Sequence, residues 1–347
     1  MNDGPLQQLY DRLPELAGPV WWFADEQVSG ELPAARGDCH VFSNRYDTAH
    51  ALSAEGFSVS LGDFDVPATL EAPPQTIVYR VSKERPLVNM LINAAMSALP
   101  VGGRLLLSGY KNDGVKGYAD KAAKVFDASR HIEKCDAGAY VATLTKRGES
   151  DATLPDKDYR QLRLIHESPA MYSKPGIYGW QKIDRGSALL IEQLPGVLAS
   201  MARPPKRLAD LGCGYGYLSI MAAQRLPDCQ WLMTDNNATA LLACEKNAKA
   251  HGLTADIQLA DCADGLTGPV DVVLCNPPFH QGFAIEGGLI ERFLQAAARL
   301  LKRNGEALFV VNQFIPLPRY AAALFAEHEL LCEQDGFRVY RLKKMAD

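Results

Sequence analysis

Arg207-Leu208-Ala209-Asp210-Leu211-Gly212-Cys213-Gly214-Tyr215-Gly216, followed by an apolar stretch from Tyr217 to Arg225, reads as strand, glycine-rich turn and helix. Glycines suit such a turn because the backbone must pass close to a ligand and bend sharply into the helix. The third glycine is Gly216 and a tyrosine follows it, which departs from the Gly-x-Gly-x-x-Gly spacing of dinucleotide sites. No Gly-Lys-Ser/Thr follows, so the turn is not an ATPase-type phosphate loop. Asp210, directly before the loop, is unfavourable beside a pyrophosphate and suits a ligand with a cationic end.

The elements downstream repeat this pattern of polar groups at strand ends. Gln230 to Asp235 is a strand ending in an acid about twenty residues after the loop, placed to accept hydrogen bonds from ribose hydroxyls. Asn236 follows it. After a helix over 238–251, strand Ile257 to Ala260 ends at Asp261-Cys262, where a carboxylate can reach an adenine amino group. Val270 to Cys275 is a short buried strand that stops at Asn276-Pro277-Pro278-Phe279. Two prolines alone are ordinary punctuation. Four successive strand ends carrying a glycine-rich loop, an Asp, an Asp and Asn-Pro-Pro-Phe make a cofactor cleft, since open α/β sheets bind ligands at the carboxyl ends of their strands.

Composition sets the frame. The chain has 347 residues, enough for two domains, with 47% hydrophobic and 22% charged residues, as in soluble globular proteins. No run approaches the ~18 apolar residues of a membrane span, and no basic-then-apolar leader opens the chain. The eight cysteines form no Cys-x-x-Cys pair and the histidines no His-Glu-x-x-His, so neither a metal site nor a disulfide framework is expected, and a reducing cytoplasm fits. A net charge of −5 argues against a strongly basic nucleic-acid binder. It leaves room for local basic patches, such as Lys157–Arg185 and the lysines and arginine of 111–134, each of which also reads as a solvated face.

The first half alternates strands and helices without the chemistry. Residues 1–36 look loop- and helix-rich, with an aromatic knot at Trp21-Trp22-Phe23. Strands are expected at 39–42, 76–81, 104–109 and 139–146, and helices at 48–55, 87–99 and 118–128. The segment 76–109 matches 270–312 element for element, which suggests an internal duplication. Val81-Ser82-Lys83 stands where the second copy has Asn276-Pro277-Pro278-Phe279, and no glycine-rich loop is present. Residues 1–150 are therefore expected to be a degenerate α/β domain without a cofactor site. A linker with one strand (159–165) spans 151–175, and the catalytic domain spans 176–347, where Asp184 caps a helix over 186–194. A helix over 320–327, then a strand, Gly336 and a second strand over 337–343 close the chain.

On Asp210-Leu211-Gly212-Cys213-Gly214-Tyr215-Gly216 and Asn276-Pro277-Pro278-Phe279, the sequence resembles class I S-adenosylmethionine-dependent methyltransferases that modify an exocyclic or amide nitrogen. A narrower likeness, to bacterial ribosomal RNA guanine-N2 methyltransferases, rests on Tyr172-Ser173, Ile183-Asp184-Arg185-Gly186-Ser187-Ala188-Leu189-Leu190, Asn276 to Gly282 and Leu300 to Glu306. Pro169-Ala170-Met171-Tyr172-Ser173 and the long 174–182 loop depart from that family's pattern. The resemblance implies two tandem Rossmann-like methyltransferase domains, the first degenerate and the second a seven-stranded, mostly parallel sheet with an antiparallel last strand. It implies S-adenosyl-L-methionine as cofactor, held by Asp210, Gly212, Cys213, Gly214, Gly216, Asp235, Asn236, Asp261, Cys262 and Asn276, with Asp184 and Ser187 at its methionine end. Asn276 and Pro277 would hold the amine and Phe279 would stack on the base, with His280 read as a loop residue rather than a base. The expected substrate is a guanine of small-subunit (16S) ribosomal RNA, with no metal and no membrane. Large-subunit RNA, a protein glutamine amide, an adenine amine and a non-enzymatic RNA-binding role stay open at this point.

Overall fold

The computed structural model describes residues 3–66, 70, 72–278 and 283–344, without the side chains of 283–287. Phe279, His280, Gln281 and Gly282 lie outside the described residues. The chain divides into two compact units, Met1–Gln161 and Leu162–Asp347. The stretch expected as a linker is split between them. Leu154 and Pro155 are held in the first unit by the Asn93 and Asn89 side chains, at 2.9 and 2.7 Å. Residues 163–173 fold into a hairpin of the second.

The first unit runs α1 (Gly4–Arg12), β1 (Val20–Ala24), β2 (Cys39–Ser43), α2 (Tyr46–Ala54), β3 (Ser58–Leu61), β4 (Thr76–Arg80), α3 (Arg85–Ala98), β5 (Arg104–Tyr110), α4 (Val115–Val125), β6 (Ala128–Lys134) and β7 (Ala139–Lys146). Its sheet has the order β3-β2-β1-β4-β5-β7-β6, parallel except for β7, which runs antiparallel to both its neighbours, β5 and β6. The second unit runs β8 (Arg163–Glu167), β9 (Ala170–Ser173), α5 (Arg185–Ser200), β10 (Arg207–Leu211), α6 (Tyr217–Ala223), β11 (Gln230–Asp235), α7 (Ala238–Ala250), β12 (Ala255–Leu259), β13 (Val270–Cys275), α8 (Phe283–Leu300), β14 (Leu301–Asn312), α9 (Leu317–Ala321), β15 (Phe325–Gln334) and β16 (Phe337–Lys344). Its sheet repeats the order as β12-β11-β10-β13-β14-β16-β15. The expected tandem α/β layout is what the chain adopts, with the last strand, β16, antiparallel to both its neighbours, β14 and β15.

Both sheets are covered on two faces, so their central strands are continuous apolar runs. In the second unit α5, α6 and α7 bury one face through residues such as Leu190, Leu218 and Ala243, and α8 and α9 bury the other through Leu294 and Leu317. That is why Trp21-Trp22-Phe23 is no loop: every residue of β1 is buried, and a strand enclosed on both faces shows no alternation to read. The expected helix over 320–327 is corrected too. Pro316 and Pro318 place a one-turn helix at Leu317–Ala321, and Phe325 already begins β15, an exposed edge strand held by pairing with β16. Strand 159–165 shifts to Arg163–Glu167, because Tyr159 is fully buried in the first unit.

The duplication extends to single residues. Trp21 and Phe23 pair with Ile77 and Tyr79 as Ala209 and Leu211 pair with Val273 and Cys275. The residue in the register of Asn276 is therefore Arg80, one position before Val81. The likeness continues at the helix that precedes each sheet. Asp3 caps α1 by accepting from the Leu6 N–H (2.7 Å), and Asp184 caps α5 by accepting from the Ser187 N–H (2.8 Å). In the first unit the Arg80 guanidinium fills the space between cap and strand end. Its Nε and Nη2 donate to the two Asp3 oxygens at 3.0 and 2.9 Å, and Nη1 meets Asp113 at 2.7 Å.

Arg80 is nearly buried, so its removal leaves two carboxylates without their counter-charge. Arg80→Met should lower the stability of the first unit by about 3 kcal/mol, read as a shift of its urea unfolding transition. Adding Asp113→Asn should recover part of that loss. An unchanged transition in Arg80→Met would contradict the reading of Arg80 as a structural ion pair.

Candidate active site

The glycine-rich loop leaves β10 with Gly212, Gly214 and Gly216 all at positive φ, and Gly216 starts α6. At Gly214 (φ 56°) an added Cβ would meet nothing within 4 Å, so the loop borders open space that backbone alone lines. Asp235, at the end of β11, holds the loop: one carboxylate oxygen accepts from the Gly214 N–H and the other from the Asn237 N–H, each at 2.8 Å. The Cys213 N–H donates to the Thr234 carbonyl (2.8 Å), and its thiol turns into the core, 3.7 Å from the Cys244 sulfur. Only the backbone of Cys213 is thus available to a ligand. Asn236 sits half-buried beside Asp235.

Asp210 is fully buried in β10. One oxygen accepts from the Ser219 N–H (3.2 Å) and hydroxyl (2.7 Å), which ties the strand to α6, and the other oxygen has no hydrogen-bond partner among the described residues. Burial raises its pKa to about 7, against the lowering effect of the Ser219 hydrogen bonds, with the Asp235 charge adding a smaller push upward. Asp261 follows β12 and is paired with Arg292 of α8, which also lies 3.8 Å from Asp264. Cys262 and Ala263 turn the chain there at positive φ, with both side chains buried.

Asn276 leaves β13 half-buried, followed by a buried Pro277. Its side-chain nitrogen donates to the Asp184 carboxylate and to the Ser187 hydroxyl, each at 2.8 Å. Asp184 and Ser187, expected at the methionine end of a cofactor, both grip the amide of Asn276. With both N–H groups engaged, the amide presents its oxygen Oδ1 as an acceptor. One residue that sequence reading missed completes the frame. Asn247 of α7, fully buried, donates to the Tyr172 and Tyr215 carbonyls (both 2.8 Å) and accepts from the Tyr172 N–H (2.7 Å), clamping β9 to the glycine-rich loop. Arg292 was missed as well. Neither bond joins neighbours in sequence, so no local motif marks them.

Two family models match, the "Methyltransferase small domain N-terminal" over residues 19–147 and the "Methyltransferase small domain" over 169–341. The ribosomal RNA small subunit methyltransferase C of Pseudomonas aeruginosa (strain UCBPP-PA14) is 31% identical over 345 residues, covering 98% of this chain and 92% of its own. The chain belongs to the ribosomal RNA small subunit methyltransferase C family. The Haemophilus influenzae (strain PittEE) member is 27% identical over 303 residues, with 87% of each chain covered. The solved T. thermophilus 16S rRNA N2 methyltransferase RsmC, in complex with AdoMet and guanosine, superposes with a TM-score of 0.78 over 97% of this chain and 92% of that one. At 22% identity this likeness speaks for the fold shared across the family.

The raised pKa of Asp210 makes a signed prediction. The fold favours the neutral acid, so this group's contribution to stability is full below about pH 3.8 and is lost as pH rises to about 7. The gap corresponds to about 4 kcal/mol as an upper bound. Asp210→Asn stays neutral, so its urea midpoint should gain on wild type across that window and then run parallel. Curves that run parallel throughout would remove the buried charge from the account.

Proposed function

We propose that this protein transfers a methyl group from S-adenosyl-L-methionine to the exocyclic N2 of a guanine in 16S ribosomal RNA of the small subunit. The observation that carries the reading is the Asn276 amide, fixed by Asp184 and Ser187 with its oxygen left to accept. An exocyclic guanine amine is a weak nucleophile because its lone pair is delocalised into the ring. Asn276 Oδ1 and the Pro277 carbonyl each accept one of its N–H groups, which aims the lone pair and favours a pyramidal nitrogen. When bound, S-adenosylmethionine supplies an electrophilic methyl carbon on a positively charged sulfur. Asn276 and Pro277 therefore act by positioning and by preorganised dipoles. No strong base is needed before attack, because the amine becomes acidic once methylated and its proton leaves to water.

The residues present suit that cofactor. The open space at Gly214 admits its backbone-facing edge. The half-buried Asp235 and Asp261 would hold the ribose and adenine, and the unpartnered Asp210 oxygen is a buried acceptor for cationic charge. Gly212, Gly216, Asn236, Cys262 and the Cys213 backbone line the same strand ends. Phe279, outside the described residues, is assigned to stack on the base, which is worth roughly 1–3 kcal/mol and offsets part of the cost of extruding it. In the first unit Arg80 occupies the place of Asn276, so that unit, with no glycine-rich loop, is assigned a supporting role. Its basic stretch is partly engaged internally: Arg130 pairs with Asp120 at 2.6 Å, and Lys116 lies 3.9 Å over the Tyr140 ring. Eight cysteines without disulfides fit a cytoplasmic setting.

The test is transfer of labelled methyl to small subunits taken from a strain lacking the enzyme, followed by mapping of the label. Label on guanine N2 of 16S RNA is expected. Label confined to large subunits, to adenine or to protein glutamine would overturn the assignment. Asn276→Ala should lower turnover by about 10²–10³-fold while cofactor affinity stays within about twofold. Near wild-type turnover in that variant would sink the mechanism.

A further inference from the structure

Beyond β14 the chain makes a turn closed by hydrogen bonds from its backbone N–H groups. Phe314 stands 67% exposed at its tip. The turn is not loose. The Phe314 N–H donates to the Asn312 side chain (3.1 Å), the Ile315 N–H to the Asn312 carbonyl (2.9 Å), and the Gln313 N–H to Gly336 in the β15–β16 turn (2.8 Å). Ile315 and Leu317 are buried on either side of Pro316 and anchor the loop in the core beneath α8. Three hydrogen bonds and two buried anchors thus fix the backbone that carries an exposed aromatic ring, a face on which a flat partner can stack.

Its place along the sheet says for what. β13 and β14 are parallel neighbours, with Cys275 level with Phe309, so Asn276 lies beside Val310 and Phe314 follows four residues on. Chain reach keeps the two Cα atoms within about 20 Å, on the same carboxyl edge of the sheet. Two arginines flank this edge. Arg319, in the last turn of α9, is exposed and has no carboxylate partner among the described residues. Arg185 follows Asp184, the residue that grips Asn276, and lines a groove with Ala188, Glu192, Gln334, Asp335 and Phe337. It too has no carboxylate partner among the described residues, unlike Arg338 and Arg341 on the adjoining strand, which pair with Glu333 and Glu306. One outward ring with two guanidinium groups that have no carboxylate partner among the described residues is the equipment for an unstacked nucleotide: a face for the base and cations for the phosphates.

We propose that Phe314, with Arg319 and Arg185, forms a docking surface for a single-stranded nucleotide flanking the target guanine in the RNA. The proposal deepens the reading of the site as a ribosomal RNA guanine methyltransferase and rests on it. Phe314 stacks on the flanking base and the arginines hold its phosphates, so the surface sets the grip on RNA and leaves the methyl-accepting geometry to Asn276.

The experiment titrates full-length protein with 16S ribosomal RNA, reading binding apart from turnover, and in parallel measures KM, kcat and cofactor affinity. Phe314→Ala should weaken RNA binding and raise KM for RNA between about fivefold and a hundredfold, with cofactor affinity unchanged. Phe314→Tyr, which keeps the ring, should stay near wild type, and Phe314→Leu, which keeps only apolar bulk, should not. Arg319→Ala should weaken binding and flatten its dependence on salt by about one unit of slope. Wild-type binding and KM in Phe314→Ala, or Phe314→Leu matching Phe314→Tyr, would overturn the surface while leaving the function intact. Absence of guanine methylation by wild type alongside weakened RNA binding in Phe314→Ala would overturn the function and keep the surface.

Discussion

The second unit depends on a hydrogen bond between a helix cap and a strand end. Asp184 terminates α5 in the ordinary way, by accepting from the N–H three residues on. The same carboxylate oxygen reaches across to the Asn276 amide at the end of β13. An asparagine side chain is ambiguous by nature, offering a donor at one end and an acceptor at the other. Two acceptors at its nitrogen, Asp184 and Ser187, remove the ambiguity. The chemistry assigned to the site needs an acceptor at that position, and a helix N-terminus 92 residues away in sequence supplies the constraint.

The first unit shows the same frame put to another use. Its cap is Asp3 and the residue in the register of Asn276 is Arg80, so the gap between cap and strand end is closed by an ion pair with Asp3 and Asp113. A guanidinium there has no acceptor to offer and satisfies both carboxylates. Loss of the glycine-rich loop goes with it: the segment after β1 runs from Asp25 to the start of β2 with no helix, and Asp25 is buried against the Tyr79 hydroxyl at 2.8 Å. Sheet order and helix cap thus recur in both units, while the residue at the strand end and the segment after the first central strand differ between them.

Much of the second unit was legible because its signals are local. A strand, three glycines and a helix in sequence, or a buried run stopped by Pro277 and Pro278, need no knowledge of distant residues. The same local reading placed acids at the ends of β11 and β12. It misread β1, where enclosure on both faces erases alternation, and carried the preceding helix into the start of β15, an edge strand held by pairing with β16. It also passed over β3 and β6, edge strands of small or polar residues. It aligned Val81 rather than Arg80 with Asn276 because a one-residue slip in register changes which face a side chain occupies, and only pairing settles that. The long-range contacts of Asp184, Ser187, Asn247 and Arg292 span 31 to 92 residues, and no local pattern announces the partners.

The central claim is that the Asn276 amide is held in one orientation with its oxygen toward the acceptor amine. It is tested most directly by a crystal structure with S-adenosylhomocysteine and guanosine bound. The account predicts Asn276 Oδ1 within about 3 Å of guanine N2, with Nδ2 still on Asp184 and Ser187. A guanine whose N2 faces Asn276 Nδ2, or an Asn276 released from Asp184 when the base is bound, would contradict it.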